Sequence, residues 1–383
     1  MLSKRDKKVL TRTMSIVVGT LLLGVAIAPQ VTHAAALTEL VAKANQEGAL
    51  TVTVSSSISG KLIQQLTAAF KKRFGLDIEV TLTPVSDRKS YSKALAEAKI
   101  GTVPTYDAIE GPDTNNTGLV GAGGIQKIDN WETLLAEINP QVRSGKIRVE
   151  QLSPGPLKGY GFAYISRVKA LLYNPKLISK DKLPKTHAEL TDPKYKDIWT
   201  QPPWTSHWNI GPMVFPEIGK KKWVDIVRKA GKNAGAVQSE IAGVQRMLLG
   251  EYKFTMANSY YYFLFKSKNP KAPLDVTYFE DYNPVQTSFY VVRKAARHPA
   301  AATLFAMWMG TPEAESIWQP VVFYTQLWGT SDIDRKVRQL REQSGAKYVD
   351  YLSTKQGLDF LRWFRTEEGR KYKQALSRAI RGE

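Results

Sequence analysis

The chain predicts an α/β fold in two lobes, each a mostly parallel sheet flanked by helices, and three observations carry this. Its 383 residues exceed the size at which a single core keeps growing. An apolar content of 43%, with Trp and Tyr spread evenly, belongs to an ordered globular protein. Short apolar runs with strand character alternate with segments of helical period, which is how parallel sheets are built.

The first stretch stands apart from that fold. MLSKRDKKVLTRT carries five basic residues, MSIVVGTLLLGVAIA is an apolar run, and PQVTHAAA supplies small residues suited to cleavage after Ala34 or Ala36. This is the pattern of a secretory signal peptide over residues 1–34, and the run falls short of the roughly 20 residues that a membrane span needs. An exported, periplasmic protein is expected.

The remaining elements follow in order. ALTELVAKANQEG reads as a helix, TVTV (51–54) as a strand, and KLIQQLTAAFKKRFG as a helix with Leu62, Ile63, Leu66, Phe70 and Phe74 on one face and Gly75 as its stop. LDIEVTLTP completes a β-α-β unit whose crossover is long enough for a parallel pair. Ser55 to Ser59 then lie at a strand's carboxyl end, where open α/β sheets bind ligands, although plain N-capping by serine uses the same residues. YSKALAEAKIG (91–101) reads as a helix, TYDAIEGPD (105–113) as strand and turn, and GLVGAGGIQKID (118–129) as a connector punctuated by glycine. FAYI (162–165) and ALLYNP (170–175) read as two strands, and 182–203 as loop with a short helix at most. KKKWVDIVRKAG and SEIAGVQRMLLGEY are helices, FTMA (254–257) and SFYVV are strands, HPAAATLFAMWMGTPEAESIW is a helix pair, and the tail from Ile333 is mostly amphipathic helix.

Composition narrows the chemistry. With no cysteine, disulfides, Cys–zinc sites and Cys nucleophiles are excluded. The net charge is +19; the first 34 residues hold five basic side chains and one acid, so +15 remains without them. Such an excess suits anionic ligands or simple solubility, and its scatter along the chain argues against nucleic acid. His187, His207 and His298 are not at helical ligand spacing, and loop or capping roles are expected of them. Ser-x-x-Lys occurs at Ser86–Lys89 and Ser90–Lys93 without the companion motifs of penicillin-recognising enzymes. Glu110 and Asp113 lie near a strand end, and an exported hydrolase using cleft carboxylates is the alternative to a binding protein.

The stretch FTMANSYYYFLFK (254–266) is the most informative. Adjacent phenols past a strand end suit three roles: oxygen ligands for a hard trivalent cation, walls for a small organic ligand, or packing at a seam between lobes. Adjacent side chains of a strand diverge, so convergence of Tyr260 and Tyr261 needs the backbone to leave strand geometry, as at a helix start.

At this point the sequence resembles a known family, the type II periplasmic solute-binding proteins of ABC transporters, including the ferric-iron-binding group. TVTVSSSISGKLIQQLTAAFKKRFGLDIEVT, GLVGAGGIQKID, LPKTHAELTDPKYKDIW, AGVQRMLLGEYKFTMANSYYYFLFK and HPAAATLFAMWMGTPEAE carry the resemblance. It implies two lobes with the ligand cleft between them, at 35–135 plus 268–315 and at 136–267 plus 316–383. It implies no catalytic residues and no cofactor, a membrane permease as partner, and a monomer that captures ferric iron or a small anionic or organic solute. The ligand-binding residues it implies are Ser56, Ser57, Trp204, Thr205, Ser206, Asn258, Tyr260 and Tyr261, with Tyr260 and Tyr261 as metal ligands if the solute is iron. The His and Glu that complete the site in some ferric binders have no match here, and Tyr106, Tyr262 and Tyr290 are unplaced candidates.

Overall fold

Ten strands organise the chain: β1 (Ala49–Val54), β2 (Glu79–Pro84), β3 (Ala108–Pro112), β4 (Gly161–Tyr173), β5 (Trp199–Gln201), β6 (Ala236–Val237), β7 (Phe254–Asn258), β8 (Asp275–Thr277), β9 (Asn283–Val292) and β10 (Tyr348–Val349). The computed structural model describes residues 33–383. The expected leader, residues 1–34, lies outside them but for its last two positions.

The strands run in the order β2-β1-β3-β9-β4-β7-β5-β6, with β10 added to β9 and β8 to β4. β1 pairs in parallel with β2 and β3, and β5 pairs in parallel with β6 and β7. The antiparallel pair β9 and β4 joins these two parallel groups. Each half thus holds parallel strands joined through helices, as the sequence led one to expect, and the carboxyl ends of such strands are where open α/β sheets bind ligands.

The expectation of two separate strands at 162–175 is corrected: β4 is continuous over 13 residues, with an irregularity between Ala163 and Ile165. Ser166, Arg167 and Lys169 read as a break because buried strands seldom carry them. Here Ser166 and Lys169 are buried, and each has a partner: the Ser166 N–H donates to the Thr325 carbonyl (2.6 Å) and Lys169 pairs with Glu240. The glycine-rich connector is also partly helical, since a helix spans Asp113–Gly121. Gly118 packs under Tyr91, whose hydroxyl would stand 2.8 Å from a Cβ at this position. Within 182–203 the turns expected are joined by β5, too short to show a period.

Packing then fixes the halves. Phe70 meets Phe305 edge-on at 5.2 Å in the first, and Trp199 stacks on Phe254 at 5.9 Å in the second. The C-terminal helices Lys355–Phe364 and Glu367–Ala379 lie against the second half, where the Tyr372 hydroxyl donates to the Asn209 carbonyl (3.3 Å) and the Gln201 amide to that of Ile380 (3.0 Å). Gly310 approaches β4 so closely that a Cβ would fall 2.4 Å from the Ala163 carbonyl oxygen. Gly310→Ala is therefore expected to lower stability by about 1–2 kcal/mol through overpacking, read as a lower urea midpoint.

Candidate functional site

β7 ends at Asn258 and a helix begins at Tyr260, so the chain leaves strand geometry where the tyrosines stand. The turn brings the Tyr260 and Tyr261 rings into a stack, centroids 4.3 Å apart at 29°. Tyr260 also meets Tyr324 edge-on at 4.9 Å. Tyr324 follows the helix Pro312–Val322, which ends in a left-handed Phe323 (φ 58°). Its hydroxyl donates to Ser57 Oγ (2.9 Å) and lies 3.4 Å from Ser55 Oγ, at the carboxyl end of β1. Tyr324 thus links the Tyr260–Tyr261 stack to the serine loop of the other half. Burial drives the Tyr260 phenol well above its ordinary range, with Tyr324 adding to this. Burial also raises Tyr261, to about 12, against the lowering effect of its hydrogen bond with Tyr260.

Of the other candidates, Ser56 is exposed beside Ser57. Tyr262 packs on Phe263, Tyr290 is buried against Tyr164 and Tyr106 lies 5.6 Å from the Lys93 ammonium. None of these three rings stacks on Tyr260 or Tyr261.

Two charged groups flank the phenols. On β4, Arg167 donates to Ser288 Oγ (2.9 Å), lies 3.5 Å from Glu110 and 3.8 Å from Asp87, and sits over the Tyr324 ring at 5.2 Å. Its Nε is buried with no acceptor. Burial and the neighbouring Asp87 raise the Glu110 carboxyl to about 8, although Arg167 pulls the other way. Two residues on, Lys169 meets Glu240 at 3.3 Å. Glu240 also holds His207 (3.2 Å), the Trp204 indole N–H (3.2 Å) and the backbone N–H and side-chain amide of Asn258. Burial would raise this carboxyl, but Lys169 and His207 together hold it well below the carboxylate range.

Trp204, Thr205 and Ser206 open instead on a cavity of about 760 Å³. Opposite them are Asp113, Thr114 and Asn115, at the carboxyl end of β3, with Val285 and Gln286 of β9 also in its wall. Tyr260 and Tyr261 are not among its lining residues. Burial and the nearby Asp350 raise Asp113 to about 7, while Arg365 counteracts them. Arg365 donates to the Thr114 carbonyl (3.0 Å) and to the Thr117 hydroxyl, joining the C-terminal helices to the first half.

The structure thus links Ser57 to Tyr260 and Tyr261 through Tyr324, and sets Trp204, Thr205 and Ser206 on a separate cavity, with Glu240 bonded to both Trp204 and Asn258. His187 and His298 pair with Asp281 (2.9 Å) and Asp107 (2.8 Å). Among the described residues no group of three or more His, Cys, Asp or Glu is placed to hold a metal ion. Ser90 is buried against Thr53 Oγ1 (3.3 Å). Tyr324, Arg167, Lys169 and Glu240 are additions to the residues proposed from sequence; the only signal for them was the charged pair at 167 and 169 inside an apolar run.

Comparison places this geometry in context. No curated protein matches the chain. Iron-bound HitA from Pseudomonas aeruginosa superposes with a TM-score of 0.60 at 18% identity, covering 78% of this chain and 99% of its own. The apo ferric ion-binding protein A of Pasteurella haemolytica gives 0.65 at 14%, covering 88% and 99%. The spermidine/putrescine-binding PotD of Streptococcus pneumoniae gives 0.59 at 15%, covering 85% and 99%. The shared fold is the two-lobe type II periplasmic binding arrangement. The family model described as bacterial extracellular solute-binding protein matches residues 65–323, more than half the chain, and the chain belongs to that family.

Proposed function

We propose that this chain is the periplasmic solute-binding component of an ABC importer, a monomer that captures a small solute between its lobes and hands it to a membrane permease. The lobes are proposed as 35–135 plus 268–315 and 136–267 plus 316–383. One observation carries the reading: loops at the carboxyl ends of β1, β3, β5 and β7 gather where the two halves meet, Ser57 bonded to Tyr324, which packs on Tyr260, and Thr114 sharing a cavity wall with Trp204. Each pair draws one loop from each rigid body, so closure about a hinge would trap a ligand and exclude water. No bond is made or broken in such capture, and no catalytic residue is proposed.

Two solutes have specific support. Ferric iron is favoured by the stacked phenols Tyr260 and Tyr261 with Tyr324 beside them, since a trivalent cation lowers phenol pKa values enough to ionise them. An organic anion is favoured by the Arg167 guanidinium, whose Nε lacks an acceptor. Ferric citrate added to the protein separates them. A visible phenolate-to-iron band, absent from Tyr260→Phe and Tyr261→Phe, is the expected result for iron; a colourless parent protein removes iron.

A further inference from the structure

The cavity beside Trp204 has a lining that the function as proposed leaves unexplained. Three cationic side chains, Arg365, Arg370 and Lys373, border it from the C-terminal helices. Arg370 and Lys373 are three positions apart on the helix Glu367–Ala379 and so share a face. Arg365 is held by the Thr114 carbonyl, and Arg370 donates to the Arg365 carbonyl (3.2 Å), so two of the three are oriented by backbone. None of the three forms an ion pair with a carboxylate among the described residues, whereas Lys371 on the opposite face pairs with Glu367 at 2.9 Å. Among the described residues the one acid in the cavity wall is Asp113, buried and raised to about 7, so at neutral pH it carries about half a charge against three cations.

The rest of the lining is aromatic and hydroxylic. Trp204 is 42% exposed, unusual for its type, and its indole N–H is fixed on Glu240, so the ring presents a set face to the cavity. Phe364 and Tyr351 are further walls, and Thr205, Ser206 and Ser377 supply hydroxyls. A volume of about 760 Å³ is that of a small-molecule site.

We propose that this cavity is a subsite for an organic anion with a flat apolar part: the anionic group meets Arg370 and Lys373, and the flat part lies on Trp204. The assignment rests on the cleft reading above and specifies the solute class. Charge-assisted bonds from guanidinium and ammonium hold a carboxylate or phosphate, and an aromatic wall supplies area and orientation for an attached ring. Neither half of such a ligand binds well alone, because each leaves the other wall wet.

Phenyl phosphate, benzoate and indole-3-acetate are the probes, titrated by calorimetry and tryptophan fluorescence, with inorganic phosphate and benzyl alcohol as the separate halves. At least one whole probe is expected to bind, at least about tenfold more tightly than either half. Arg370→Gln/Lys373→Gln and Trp204→Leu should each weaken it about tenfold or more. The two cations are exposed, so the double variant should fold, which circular dichroism checks. A probe whose affinity is unchanged in the double variant but lost in Thr205→Val/Ser206→Ala overturns the charge assignment and leaves the cleft reading in place. Binding by none of the three overturns the proposed solute class, while a phenolate-to-iron band with ferric citrate on the same sample would keep the cleft reading, with iron as its solute.

Discussion

Glu240→Ala is expected to cost about 3–5 kcal/mol of folding stability. The carboxyl is 2% exposed and faces Lys169, itself 5% exposed, at 3.3 Å. Its removal strands a buried ammonium, and it also takes the acceptor from the Trp204 indole, His207 and the Asn258 backbone N–H. Each orphaned donor adds its own desolvation penalty. Urea denaturation should show a lower midpoint with unchanged slope. Pairing the change with Lys169→Met should recover part of the loss, since no buried ammonium is then left without a counter-charge. A loss under about 1 kcal/mol in the single variant would mean that water enters and takes the carboxylate's place.

The pH response of this hub has a definite sign. Burial lowers His207 to about 4, against the raising effect of its bond with Glu240. The unfolded chain binds that proton first, so the contribution is full above the unfolded value of about 6.5 and fades as pH falls toward 4. Glu240, held low, acts at still lower pH. Its stabilisation is present above about 4.3 and is lost only as pH falls through the depressed folded value.

The sequence disclosed whatever rests on local period. β1, the helix Lys61–Phe74 and β2 were readable because Leu62, Leu66 and Phe70 recur on one face and Gly75 ends the helix in a left-handed turn (φ 62°). The tyrosine pair was readable because adjacency is a sequence property, and the need for a helix start was a geometric deduction that the helix Tyr260–Lys268 meets. Tyr324 was hidden because only tertiary folding brings it beside Tyr260. The continuity of β4 was hidden because Arg167 and Lys169 look like solvent-facing residues until Glu110, Asp87 and Glu240 arrive from distant segments. Arg370 and Lys373 pose the converse problem. On an amphipathic tail they match any solvated face, and only the cavity distinguishes them.

Arg167→Gln is expected to destabilise by about 2–3 kcal/mol at pH 7, at or below the lower end for a broken buried pair. Arg167 is 15% exposed and stands between Asp87 and Glu110, so removing it withdraws the guanidinium from two carboxyl groups. The loss is moderated because Glu110, raised to about 8 by burial and by Asp87, is mostly protonated at neutral pH and needs little counter-charge. A carboxyl raised in the folded state stabilises fully below its unfolded value of about 4.3, and that contribution is lost as pH rises through about 8. Without Arg167 the folded value climbs further, so the loss runs to higher pH and the variant should fall furthest behind the parent near pH 9. Glu110→Gln removes the titrating group, and the double variant Arg167→Gln/Glu110→Gln should flatten the alkaline decline. Thermal melts of the parent, both single variants and the double variant at pH 6, 7.5 and 9 give the coupling directly. Parallel declines in the parent and Glu110→Gln would show that another group, and not the buried carboxyl on β3, sets the alkaline limit.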